Sequence, residues 1–198
     1  DLCGIPVVGV IPYMDVDIED EDSLSSRLET GKGKAPAAVD LAVIRFPRIS
    51  NFTDFNVFSG IPGVSLRYVT RACDLGTPDM VILPGTKNTI HDLLWMRQNG
   101  LEAAILKLAD RQVPVWGICG GYQMMGEVLV DEKGVESDLP SRTSGMGLLP
   151  LKTEFEKEKI RTQVEGAFGQ LDGCLGGLSG KSIEGYEIHM GRTYIDRE

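Results

Sequence analysis

From residue 39 onward the chain alternates short apolar runs with stretches whose apolar residues recur at helical spacing. Residues 39–46, 64–69, 80–83 and 114–118 are β-prone, and Pro84-Gly85 ends the third run. Between them, Asn88 or Thr89 is placed to cap a helix through Gln98, with Ile90, Leu93, Leu94 and Arg97 on a helical period. Gly100 stops that helix, and residues 101–111 repeat the spacing at Leu101, Ala104, Ile105 and Leu108. Strand and helix in alternation predict an α/β fold: a mostly parallel sheet flanked by helices, whose ligands bind at the carboxyl ends of the strands. Beyond residues 146–150 the pattern turns β-rich, at 152–155, 160–164 and 185–190, with a glycine-rich loop over 166–180. Upstream, residues 5–11 read as a buried strand ended by Pro12, and an acidic run over 15–22 leads into Gly31-Lys-Gly-Lys-Ala-Pro36. This predicts a boundary near residues 15–37, with a separate unit over 38–198.

Cys119 is the most telling position. The apolar run 113–118 leads into Cys119, then Gly120 and Gly121, then a helix-like run over 122–130. A cysteine on a tight strand-to-helix turn has its sulfur pushed out at the carboxyl end of the sheet, facing the amide groups of the next helix. Such a setting favours the thiolate and makes a nucleophile. The glycines suit a strained turn and a close helix–strand approach. With serine, the same geometry is the nucleophile elbow of hydrolases. The alternative is a packing cysteine, the ordinary state of a free thiol, and Cys3, Cys73 and Cys174 keep that reading because none stands on such a strand-to-helix turn.

A cysteine that attacks an amide needs a base or acid, usually histidine, and donors for the oxyanion. The chain holds two histidines. His91 sits in the predicted helix beside Asp92 and reads as a helix-surface residue. His189, in Gly185-Tyr-Glu-Ile-His-Met-Gly191, is from the residues alone the better candidate base. The Gly120 N–H follows the nucleophile directly, and Gly85 in Pro84-Gly-Thr-Lys87 is the natural second oxyanion donor. Two other motifs carry less. Gly176-Gly-Leu-Ser-Gly-Lys-Ser182 resembles a phosphate loop but has Leu175 where glycine is required and no apolar strand before it. The run Asp15-Val-Asp-Ile-Glu-Asp-Glu-Asp22 lacks the glycine and terminal glutamate of a calcium loop and reads as a solvated linker.

Composition narrows the class further. A net charge of −9 leaves no basic stripe for nucleic acid or an anionic membrane surface. Four cysteines without a Cys-x-x-Cys pair argue against a disulfide framework or a zinc site and fit a reducing cytoplasm. Apolar runs fall short of the ~18 residues that span a bilayer. The chain begins at Asp1, close to an apparent strand, which suggests a piece of a longer protein.

Several longer motifs sharpen this. Ile44-Arg-Phe-Pro-Arg-Ile-Ser-Asn-Phe-Thr-Asp-Phe55, Val81-Ile-Leu-Pro-Gly-Thr-Lys-Asn-Thr-Ile-His-Asp-Leu-Leu-Trp95, Gly117-Ile-Cys-Gly-Gly-Tyr-Gln-Met-Met-Gly126 and Gly185-Tyr-Glu-Ile-His-Met-Gly-Arg-Thr193 together resemble the glutamine amidotransferase domain of the cobyric acid synthase family, over most of residues 38–194. Gly-x-Cys-x-Gly-x-Gln alone would point only to the wider class I amidotransferases. The opening of the chain, 4–28, is similar to the end of the ATP-dependent synthetase domain and its acidic linker. The resemblance implies a class I-like, flavodoxin-like fold and glutamine hydrolysis at Cys119. It places Gln123 in the wall around the glutamine or thioester. It implies no cofactor in this domain. ATP and Mg²⁺ would act in the synthetase domain, where ammonia amidates the carboxylates of a corrinoid. It also implies that the partnering histidine lies in a Tyr-Leu-His-Gly type segment past Glu198, so His189 becomes a motif residue of another kind and the fragment alone is expected to be nearly inactive. No acidic third triad member is assigned. Alternatives are a cobyrinic acid a,c-diamide synthase domain, a cell-wall lipid II amidotransferase domain, or a docking module that keeps the fold without catalysis.

Overall fold

The computed structural model describes residues 37–195 with the exception of Asp138. The strand at 5–11, the acidic run and Cys3 lie outside the described residues. The first sheet is wholly parallel, in the order β2-β1-β3-β4: β1 is Val39–Ile44, β2 Val64–Val69, β3 Met80–Leu83 and β4 Val115–Gly117. Its central strands read as continuous apolar runs because both faces are covered: Leu41, Ala42, Val43 and Ile44 of β1 and Val81, Ile82 and Leu83 of β3 are all buried. Short helices α1 (Asn56–Ser59) and α2 (Ala72–Leu75) flank β2. Helices α3 (Thr89–Gln98) and α4 (Leu101–Asp110) make the crossover from β3 to β4. As expected, the Asn88 side chain caps α3 by accepting the His91 N–H at 2.9 Å, and Gly100, at φ 71°, turns the chain between the two helices. Leu101, Ile105 and Leu108 line the buried face of α4, each contributing roughly 1.5–3 kcal/mol by leaving water.

The second sheet is mixed, in the order β6-β5-β7-β8: β5 is Val128–Asp131, β6 Ser141–Ser144, β7 Leu151–Ala167 and β8 Ser182–Ile195. Two expectations are corrected here. The helix predicted over 122–130 is the short α5, Gly120–Met124, after which the chain enters β5. The separate strands expected at 152–155 and 160–164 are one long strand, irregular between Phe155 and Ile160, paired antiparallel with β8. The phosphate-loop lookalike lies where a 3-10 turn, Gly173–Leu178, runs into β8. A strand stands where nucleotide binding needs a helix.

The β5–β6 connection is organised by Asp131, fully buried at the end of β5. Its carboxylate accepts the N–H groups of Val135 (2.7 Å), Glu136 (2.9 Å) and Ser137 (2.9 Å) and the Ser137 hydroxyl (3.0 Å). Burial pushes this carboxyl up, but the four bonds prevail and hold it below the usual carboxylate range. A lowered native value gives stability that is present above the unfolded value of about 3.9 and lost as pH falls through the native one. Asp131→Asn is therefore expected to cost about 1–3 kcal/mol at neutral pH and to flatten the acid limb of a stability profile below about pH 4. Thermal unfolding from pH 2.5 to 7 checks both.

Candidate active site

Three loops meet at the carboxyl ends of neighbouring strands. The loop after β1 is joined to the loop after β3: Ile49 bridges Thr86, the Ser50 N–H donates to the Gly85 carbonyl at 2.9 Å, and the Lys87 N–H donates to the Arg48 carbonyl at 2.9 Å. The loop after β4 holds Cys119, at the N-cap of α5 with φ 50° and ψ −111°. That backbone region is costly for a residue with a Cβ, by roughly 1–3 kcal/mol, and persists where surroundings over-determine it. Here the surroundings are the Gly121 N–H on the Ile118 carbonyl (2.9 Å), the Gln123 N–H on the Cys119 carbonyl (3.0 Å), and the contact of Gly121 with β3. A Cβ on Gly121 would overlap the Leu83 carbonyl and stand 2.7 Å from the Pro84 oxygen. Cys119 is a free, exposed thiol.

Gly85 and Gly120, expected as oxyanion donors, both border Cys119. A Cβ built on Gly85 would lie 3.8 Å from the Cys119 Cβ, and one on Gly120 would lie 3.4 Å from the Thr86 nitrogen. Gln123 is buried, and its side-chain oxygen accepts from the Thr89 hydroxyl at 3.3 Å. Strand β8 lies across the other side of α5: at Gly191 a Cβ would be 2.8 Å from the Gln123 side-chain nitrogen, so a larger residue would push Gln123 aside. Cys119, Gln123, Glu187, His189, Gly191 and Thr193 share one cavity of about 580 Å³.

The two histidines part company. His91 is exposed on α3, its ring Nδ1 near the Asn88 side-chain oxygen (2.9 Å) and the Glu136 carbonyl (3.1 Å). His189 lines the Cys119 cavity. Its Nε2 lies 2.5 Å from Glu187, and its Nδ1 is buried without a hydrogen-bond partner among the described residues. Sequence reasoning did not single out Glu187 or Thr193. Their signal was the two-residue spacing of Glu187, His189, Gly191 and Thr193, which puts all four on one face of a strand. It also passed over Glu136, whose carboxylate accepts the Thr89 N–H at the start of α3 and is pushed up by burial, with that bond opposing. Asp92, completely buried, was noted only as the neighbour of His91.

A parallel sheet with an exposed cysteine on a strand-to-helix elbow, facing a walled cavity, defines an α/β domain of the amidotransferase type. The chain belongs to the family of CobB/CobQ-like glutamine amidotransferase domains, whose model matches residues 40–198. Curated relatives agree. A cobyric acid synthase from Ruminiclostridium cellulolyticum is 56% identical over 194 residues, covering 98% of this chain and 37% of the relative. One from Lachnoclostridium phytofermentans is 52% identical, covering 97% and 36%. One from Yersinia enterocolitica is 50% identical, covering 98% and 38%. The chain thus spans little more than a third of the length of these relatives. Among solved structures, a glutamine amidotransferase shares the fold with a TM-score of 0.54 at 16% identity, covering 76% of this chain and 71% of that one. PurLQS from Thermotoga maritima does so at 0.53 and 17%, covering 77% and 67%.

Proposed function

We propose that this domain hydrolyses glutamine and supplies ammonia for the amidation of corrinoid carboxylates, as the glutaminase part of a cobyric acid synthase. The observation that carries the chemistry is the strained Cys119 elbow beside Gly85 and Gly120 on the cavity that Gln123 walls. The Cys119 thiolate attacks the side-chain amide carbon of glutamine. The carbonyl π electrons move to oxygen, and the N–H groups of Gly85 and Gly120 receive that oxyanion. Collapse breaks the C–N bond, the nitrogen takes a proton, and ammonia leaves. Water then cleaves the γ-glutamyl thioester to glutamate and restores the thiol. The high identity to cobyric acid synthases supports the corrinoid as acceptor. By the likeness to cobyric acid synthases, ATP and Mg²⁺ are assigned to a synthetase partner that activates the acceptor.

The test is ammonia release from glutamine by the protein as encoded, followed by product analysis. Amide formation on a corrinoid a,c-diamide supports the reading. Amidation of lipid II or of cobyrinic acid instead would reassign the acceptor, and no glutamine turnover at all would leave a docking module.

In this reading His189 is cavity wall and Glu187 partner, with the proton-transferring histidine supplied by another segment. His189→Asn is then expected to lower glutamine turnover by less than about tenfold, within the range of lost positioning contacts. A loss as deep as that of Cys119→Ala, read by steady-state ammonia release, would make His189 the base.

A further inference from the structure

Asp92 lies in the first turns of α3, fully buried, and the chemistry above makes no use of it. We propose that Asp92 is a positioning residue for the oxyanion donor, acting through Thr86 to aim the Gly85 N–H at the reacting carbonyl; the inference rests on the glutaminase reading of the Cys119 site. One Asp92 oxygen accepts the Thr86 hydroxyl at 2.5 Å and the Arg48 backbone N–H at 3.2 Å, and the other faces the Arg48 guanidinium at 3.4 Å. Thr86 follows Gly85 directly, and Arg48 belongs to the loop that braces it. Asp92 therefore ties together the two loops that approach Cys119 from β1 and β3.

The Gly85 segment is pinned on both sides. Upstream, the Leu83 carbonyl accepts the Ile118 N–H at 2.9 Å, linking it to the strand that delivers Cys119. Downstream, the Gly85 carbonyl is held by Ser50, and the Thr86 side chain by Asp92. Glycine has no Cβ to restrict its own φ and ψ, so the direction of its N–H must be set by its neighbours. A carboxylate is suited to this because it accepts from several donors at once, whereas an asparagine oxygen with the same shape brings an N–H₂ group that would face the Thr86 hydroxyl or Arg48. Burial pushes the Asp92 carboxyl up, opposed by Thr86 and Arg48. A buried acid is thus retained at a cost, at the back of the loop that borders the nucleophile.

The test compares a reaction that develops an oxyanion with one that does not, in the protein as encoded. Asp92→Asn is expected to lower kcat for glutamine hydrolysis by about 10- to 100-fold with KM within about threefold, the scale of a misaimed oxyanion donor. It should weaken binding of the γ-aldehyde analogue of glutamine, whose thiol adduct carries the oxyanion, by a similar factor. Alkylation of Cys119 by iodoacetamide, which needs no oxyanion donor, should stay within about twofold. A purely structural role would move alkylation and hydrolysis together, and that result overturns the proposal. Thr86→Val should reproduce the Asp92→Asn pattern and Thr86→Ser should recover most of the activity, so the proposal is testable even if Asp92→Asn fails to fold. Thr86→Val at wild-type kcat overturns it. If Cys119→Ala is inactive while Asp92→Asn keeps its kcat, the positioning role alone falls. If Cys119→Ala still hydrolyses glutamine, the glutaminase reading falls and takes this inference with it.

Discussion

Cys119→Ala is expected to abolish glutamine hydrolysis, lowering kcat by roughly 10³-fold or more, since in the proposed reaction the thiolate forms the bond that replaces the amide. Glutamine binding should survive, because Gln123 and the β8 wall stay in place. The same substitution is informative for stability. Cys119 stands at φ 50°, where any Cβ is strained. Cys119→Gly is therefore expected to be more stable than Cys119→Ala by about 1 kcal/mol, although both are inactive. Steady-state ammonia release and denaturant unfolding separate the two effects. An inactive pair with the reverse order of stability would mean that the elbow is not strained.

Gly121→Ala carries the largest expected effect on the fold around the site. Its Cβ would overlap the Leu83 carbonyl and lie 2.7 Å from the Pro84 oxygen. These are backbone atoms of β3 and of the loop leading to Gly85, so neither can rotate away as a side-chain tip would. Relief requires α5 to move off the sheet, breaking the Gly121 bond to Ile118 and the seat of Met124 in the core. A cost of about 3 kcal/mol or more follows, or roughly 6–12 °C in Tm for a domain of this size. Cys119 would be displaced with its helix, so alkylation by iodoacetamide should change along with stability. Ala at this position with an unshifted Tm would contradict the close approach of α5 to β3.

Much of this was legible in the sequence because it is written in local patterns. β2, β3 and α3 fall at the residues where apolar runs and capping signals put them, and the Cys119 elbow announces itself by its glycines. The failures have physical causes. The run through Met124, Met125 and Val128 is apolar at helical spacing, but Met124 and Met125 pack into the core from the end of a five-residue helix and the chain then pairs with β6 and β7. Tertiary pairing overrides a periodicity too short to decide. β6 is polar throughout, Ser141-Arg-Thr-Ser144, and exists because β5 offers it an edge. The acidic and basic residues over 156–159 concealed the continuity of β7, which is a long exposed hairpin with β8. Asp92, Thr86 and Arg48 were invisible as a group because 44 residues separate Arg48 from Asp92, and only the adjacency of β1 and β3 brings them together.

Cys73, a second free, exposed thiol away from any elbow, provides an internal control for Cys119 as the proposed glutamine-directed nucleophile. The most direct measurement is mass spectrometry of the protein after exposure to a diazoketone analogue of glutamine, with and without glutamine as competitor. The expected result is a single adduct on Cys119, none on Cys73, and protection by glutamine, as a glutamine-directed nucleophile requires. Labelling of Cys73 at a comparable rate, or an unmodified Cys119 in the protein as encoded, would contradict it.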